Sequence, residues 1–267
     1  MNEENALMRA EIAGHQAGHA ATISAAAQKE TFMMLQEPDG DTNGMDLLET
    51  REALCRAGQA SWSRVLDVFN YRSDDTGMHC GHLIARLGLV GLAEAFVTRH
   101  IEQWRLWMNA PTFTMKPPAR WTCLMCFMEH ARPRARDDFE AMSTRKLISA
   151  IVDNSTMATV MIQAYSTGGT FVHMARSVDH LTAAMNCLYN HNKPIRMLIN
   201  VPNTLGHSAY DLHWNNGLIK EVIEAFGGHS LRPMPGAHGK GKKGSGKGKG
   251  SADGLGPEHH WNRQYHK

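Results

Sequence analysis

The sequence predicts an all-α chain, and three observations carry that reading. Apolar residues recur at three- and four-residue spacings along much of the 267 residues. No stretch sustains the period-two alternation of a half-buried strand, and no Asn-Gly pair sits between β-branched runs. Short helix, glycine, short helix returns as a theme from about residue 45 onward. With 42% hydrophobic residues, the chain is long and apolar enough for one or two domains with a real core.

The first element is "NALMRAEIAGHQAGHAATISAAAQKETFMMLQ", rich in alanine and other helix formers. One or two helices are expected between Asn5 and Gln36. "EPDGDTNG" then reads as a turn-rich break. From Met45, helical spacing resumes with Leu47, Leu48 and Leu54, then Trp62, Val65, Leu66 and Phe69, and Gly58 splits this stretch into two short helices. Residues 1–44 are thus predicted to be an N-terminal helical extension, 45–228 a helical repeat domain, and 229–267 a disordered tail.

A repeating unit is clearest at "NTLGHSAYDLHWNNGLIKEVIEAFGG". Gly206 and Gly217 lie eleven positions apart and mark its breaks. Ser208 is a candidate N-cap for the first helix, Leu218, Ile219, Val222, Ile223 and Phe226 stripe the second, and Gly227 is placed to end it left-handed. "DDTGMHCGHLIARLGLVGLAEAFV" has the same layout, with Gly77 and Gly88 again eleven apart.

These units resemble the ankyrin repeat, whose motif runs Gly-x-Thr-Pro-Leu-His-x-Ala, then Gly-His, then an apolar helix. "GGTFVHMARSVDH" is similar as a third copy: Gly168, Thr170, His173 and Ala175 match, and Val172 stands for Leu. "RWTCLMCFMEH" is a weaker fourth, with Thr122 and Leu124 matching and Met125 where His would stand. Residues 46–70 resemble a capping unit. No copy keeps the family's proline: Cys80, Cys123, Phe171 and Ala209 hold that place. The first-glycine positions, 77, about 120, 168 and 206, lie further apart than the family's period, so "HIEQWRLWMNAPTFTMKPPA" and "ARPRARDDFEAMSTRK" are expected insertions. A stack of such units buries apolar faces that one helix pair leaves open.

The resemblance implies a non-catalytic scaffold or adaptor that binds a partner protein on a concave face and at its turn tips. It makes Gly77, His82, Gly88, Gly168, Thr170, His173, Gly206 and Gly217 structural, with His82 and His173 hydrogen-bonding within and between repeats. A lone histidine between apolar neighbours reads the same way without the family, as a satisfied core group. The contacting positions it implies are Asp75, Thr76, Met78, Arg86 and Leu87 in the unit at 77, and Thr204, Leu205, His207, Asn215 and Asn216 in the unit at 206. Trp121 is a candidate anchor, with packing against the insertion as its equal alternative.

Other clusters are read as blander. Cys123-x-x-Cys126 with His130 has zinc-like spacing, but no second pair of ligands follows, so both cysteines are expected as small core fillers. His15-x₃-His19 and His79-Cys80-x-His82 lack further ligands, and the terminal "EHHWNRQYHK" is an adventitious metal binder at most. No metal site, cofactor or nucleophile–base set is predicted. Five cysteines in apolar runs, no long apolar segment and no leader-like N-terminus point to a reducing intracellular setting, cytoplasmic or nuclear, with no membrane span.

The tail holds eight Lys or Arg against two acids, a net +6, while the body, with 20 against 24, carries −4. "GKGKKGSGKGKG" lacks the strand and helix that a phosphate loop needs. Lys240, Lys242, Lys243, Lys247 and Lys249 make it a polycation able to touch RNA, DNA or another polyanion without sequence choice. A nucleic-acid-associated factor is therefore the alternative function, and a purely solubilising tail the bland one.

Overall fold

The computed structural model describes residues 25–59, 66–113, 120–130, 138–164 and 167–232, all within the body Met1–Arg232. Trp62 and Val65, the His15–His19 pair, the terminal histidines and the five tail lysines lie outside them. Among the described residues the protein is all-α, with one isolated antiparallel bridge, Arg72 to His79, and no strand. Among the described residues no helix is long and apolar enough to cross a membrane.

After helical residues 25–34, α1 runs Gly40–Arg56. The predicted break at "EPDGDTNG" is therefore half helix. Its glycines serve close approach: a Cβ on Gly40 would lie 2.4 Å from the Leu35 carbonyl oxygen, and one on Gly44 would lie 2.8 Å from Leu92. Phe32 and Leu35 are buried, so the described part of the predicted N-terminal extension, residues 25–44, joins the core, while residues 1–24 of it lie outside the described residues. Gly58, at φ 71°, follows the end of α1 where the sequence put a split.

α2 (Cys80–Leu87) ends at Gly88, a left-handed C-cap at φ 73°. α3 (Val90–Arg99) starts behind an apolar residue, Leu89, so its first amides need an outside acceptor. Asp41 of α1 supplies it, taking the amides of Gly91 and Leu92 at 2.9 and 2.8 Å. Glu52, buried on α1, takes Arg99 at 2.9 Å and His100 at 2.7 Å. Pairing of both its oxygens is what makes a buried carboxylate tolerable.

The first expected insertion begins as a helix, α4 (Ile101–Met108), with Trp104, Trp107 and Met108 buried. Trp104 donates from Nε1 to the Ala150 carbonyl at 2.8 Å. It belongs to the core, where each such large apolar side chain stabilises the fold by about 1.5–3 kcal/mol. α5 is Cys123–His130, α6 Asp138–Asp153 and α7 Met157–Val160. The unit at 168 has only one turn, residues 171–174, as its first helix, followed by α8 (Val178–Asn190) and α9 (Ile195–Ile199). In the last unit the first helix is four residues, α10 (Ala209–Leu212), before α11 (Gly217–Ala225). Gly217 is the first residue of that helix, while Gly227 takes the left-handed conformation at φ 89°.

The packing follows chain order. α1 lies on α3, α3 on α6, α6 on α8 and α8 on α11, while α2 packs on α5. Residues 229–231 fold back onto the last pair. Ser208 Oγ donates to the His229 carbonyl at 2.9 Å, and the Leu231 amide donates to Asp211 at 3.1 Å. The edge of the body thus lies past Gly228. Burial alone would raise the Asp211 carboxyl, but hydrogen bonds from Ser230, Ser208 and Leu231 outweigh it and hold it below the usual range.

Candidate partner-binding surface

Four turns precede the first helices, and one backbone feature marks each. Gly77, Arg120, Gly168 and Gly206 all have left-handed φ, at 64°, 56°, 63° and 77°. Two residues after each comes the residue that leads into the first helix: His79, Thr122, Thr170 and Ser208. Thr122 Oγ1 accepts from the Met125 amide at 3.2 Å, and Ser208 Oγ from the Asp211 amide at 3.3 Å. The turns close alike. In the first, Ser73 N–H donates to the Met78 carbonyl and Gly77 N–H to the Ser73 carbonyl. In the third, Ala164 N–H donates to Gly169 and Gly168 N–H to Ala164.

The two singled-out histidines bridge one such turn to the next. His173 Nδ1 accepts from the amide and hydroxyl of Thr170, both at 3.1 Å, and Nε2–H donates to the His207 carbonyl at 3.3 Å. His82 Nδ1 accepts from the His79 amide, and Nε2–H donates to the Trp121 carbonyl at 3.0 Å. His79 reaches the same neighbouring turn, donating to the Ala110 carbonyl at 3.0 Å. Burial pushes His79 and His173 down to about 4, and His82 well below its ordinary value, so each stays neutral at physiological pH.

The turns touch pairwise. Arg72 lies over the Phe113 ring at 4.7 Å and donates to the Pro111 carbonyl, joining the first to the second. The amide and hydroxyl of Thr204 both donate to the Thr167 carbonyl, and Gln163 donates to the carbonyls of Gly168 and Pro202, joining the third to the fourth.

The contact residues named from sequence divide accordingly. Asp75, Arg86, Leu87, Thr204, Leu205 and Asn215 are exposed, and Thr76 and His207 are half-buried. Met78 is 3% exposed and belongs to the core, because its position continues into the buried start of α2. Asn216 accepts from the Ile219 amide at 3.2 Å and so caps α11. Trp121 is partly buried against the core. The sequence reading missed two exposed aromatic residues: Phe113, in the second turn, and Trp214, at the end of the last unit's first helix, at 74% and 65% exposure. Both are large apolar residues flanked by polar neighbours, the signal that could have singled them out.

Cys123 and Cys126 are buried on α5, whereas His130 is exposed. Burial pushes the Cys80 and Cys126 thiols up to about 12 and raises Cys123 as well, which disfavours the reactive thiolate. Cys123 instead approaches His79 and His82. A second mixed group, Asp153, Cys187 and His191, lies near the surface where α6 and α8 meet. Comparison with known protein-family models finds none that matches the chain, and comparison with curated proteins finds no match either.

Proposed function

We propose that this chain is a non-catalytic protein-binding module, an ankyrin-like repeat stack that takes a partner protein on its turn tips and the exposed ends of its first helices. The observation that carries the reading is the recurrence, at 77, 120, 168 and 206, of a left-handed residue two positions before the residue that leads into a helix. Such recurrence makes a series of like turns, each free to vary its tip. Leu87, Phe113, Leu205 and Trp214 give those tips and helix ends large apolar side chains in water, the kind of anchor that dominates binding energy. The uneven intervals fit degenerate units, with α4 filling the space between the first two.

The full chain tests this in nuclease-treated extract. Leu205→Asp with Phe113→Asp is expected to abolish retention of the partner, while changing Lys240, Lys242, Lys243, Lys247 and Lys249 to Gln leaves it. If the aspartates change nothing, and the Gln substitutions or nuclease remove all retention, the tail is the binding element and the protein is a polyanion-associated factor. Salt dependence separates the two further, since phosphate contacts weaken steeply as salt rises.

A further inference from the structure

We infer that Asp153, Cys187 and His191 form a binding site for a zinc-class divalent cation, clamping the end of α6 to the end of α8. Asp153 is the last residue of α6. Cys187 lies in the last turn of α8 and His191 is its C-cap, four positions on, so both present to one side of the helix.

Their donor atoms already converge. Cys187 Sγ donates to Asp153 Oδ1 at 3.1 Å, and His191 Nε2–H donates to the same oxygen at 2.7 Å. All three ligand atoms lie within 4.8 Å of one another. Ligands around tetrahedral zinc stand roughly 3.3–3.7 Å apart, given its bond lengths. The site therefore needs shifts on the order of an ångström. A cation takes the place of the two hydrogens now directed at Oδ1: the thiol proton leaves to solvent, and the imidazole gives up its Nε2 proton and takes one from solvent on Nδ1, the neutral ring changing tautomer.

The donor set selects the class. One thiolate, one imidazole and one carboxylate suit zinc and its neighbours, whereas calcium and magnesium require oxygen ligands throughout. Asp153 and His191 side chains are close to half exposed, and the three line a hollow with Ser149, Asn186 and Asn190. Water thus reaches the fourth coordination position. The inner group, His79, His82 and Cys123, is the weaker candidate. It is fully buried, and both ring nitrogens of His82 are engaged, with the His79 amide and the Trp121 carbonyl.

Cobalt titration of the reduced, metal-free full chain tests the site. The expected result is one Co²⁺ per chain with a thiolate-to-cobalt charge-transfer band and four-coordinate visible bands, both bleached by Zn²⁺. Cys187→Ser removes the charge-transfer band, and Asp153→Asn and His191→Asn weaken binding while circular dichroism stays unchanged. A band that survives Cys187→Ser but disappears in Cys123→Ser overturns the assignment in favour of the inner group. Cobalt binding with no thiolate band overturns it too, since the cysteine-free histidine-rich terminus then accounts for the metal. So does an absence of binding at millimolar cobalt.

Discussion

The His82 imidazole holds the Trp121 carbonyl at 3.0 Å, across 39 positions of sequence. With Nδ1 accepting from the His79 amide, one neutral ring satisfies its own turn and the next. His82→Ala leaves the His79 amide without that partner, strips the Trp121 carbonyl of one of its two donors (the Thr112 amide, at 2.9 Å, stays) and opens a void where a fully buried side chain stood. The expected loss is about 3 kcal/mol. His207→Ala is the contrast, because His173 uses the His207 backbone carbonyl and not its ring. That change is expected to cost under about 0.5 kcal/mol. Urea unfolding at pH 7.5 reads both.

Acid lability follows from the same histidines. His79 and His173 are held at about 4 in the fold, against an ordinary 6.5 when unfolded. Above 6.5 both states are neutral and the stability is fully present. As pH falls from 6.5 to 4, the unfolded chain takes up protons that the fold refuses, so stability falls. Each ring contributes on the order of 3 kcal/mol over that window. Thermal melts from pH 8 to pH 4 are expected to show a steep fall in Tm beginning near 6.5. The fall is expected to be shallower in His173→Gln, relative to that variant's own value at pH 8.

Glycine substitutions separate strain from collision. Gly168 and Gly206 share left-handed φ. A Cβ at 168 would lie 2.6 Å from the Thr204 backbone nitrogen, whereas one at 206 meets nothing within 4 Å. Gly206→Ala is expected to cost about 1 kcal/mol and Gly168→Ala clearly more. Arg120→Gly relieves the same strain in the second turn and is expected to stabilise by up to about 1 kcal/mol. Unfolding midpoints of the three variants check the order.

The local part of this structure was legible in the sequence. Gly227 was expected to end its helix left-handed and does, and Gly77, Gly88 and Gly168, read from sequence as breaks and motif positions, take the same conformation, which little but glycine tolerates. Arg120 hid its turn by holding the same conformation without glycine. Gly40 and Gly44 misled in the opposite direction: they read as a break but permit close packing inside a helix. The stripe Trp104, Trp107, Met108 was visible at helical spacing, yet the repeat pattern assigned it to an insertion. Asp41 at the start of α3 and Glu52 beneath His100 are contacts between residues about fifty apart, and no local pattern encodes them. Asp153 meets Cys187 and His191 for the same non-local reason, through the packing of α6 on α8.

The turn-tip surface carries the proposed function, and hydrogen exchange tests it most directly. The full chain is measured alone and with its captured, nuclease-treated partner at saturation. Amides at 74–76 and 204–206 are expected to slow on binding, together with those at the ends of α2 and α10, while the outer faces of α3 and α11 stay unchanged. Protection confined to residues 233–267, or to the outer helices, would contradict the account.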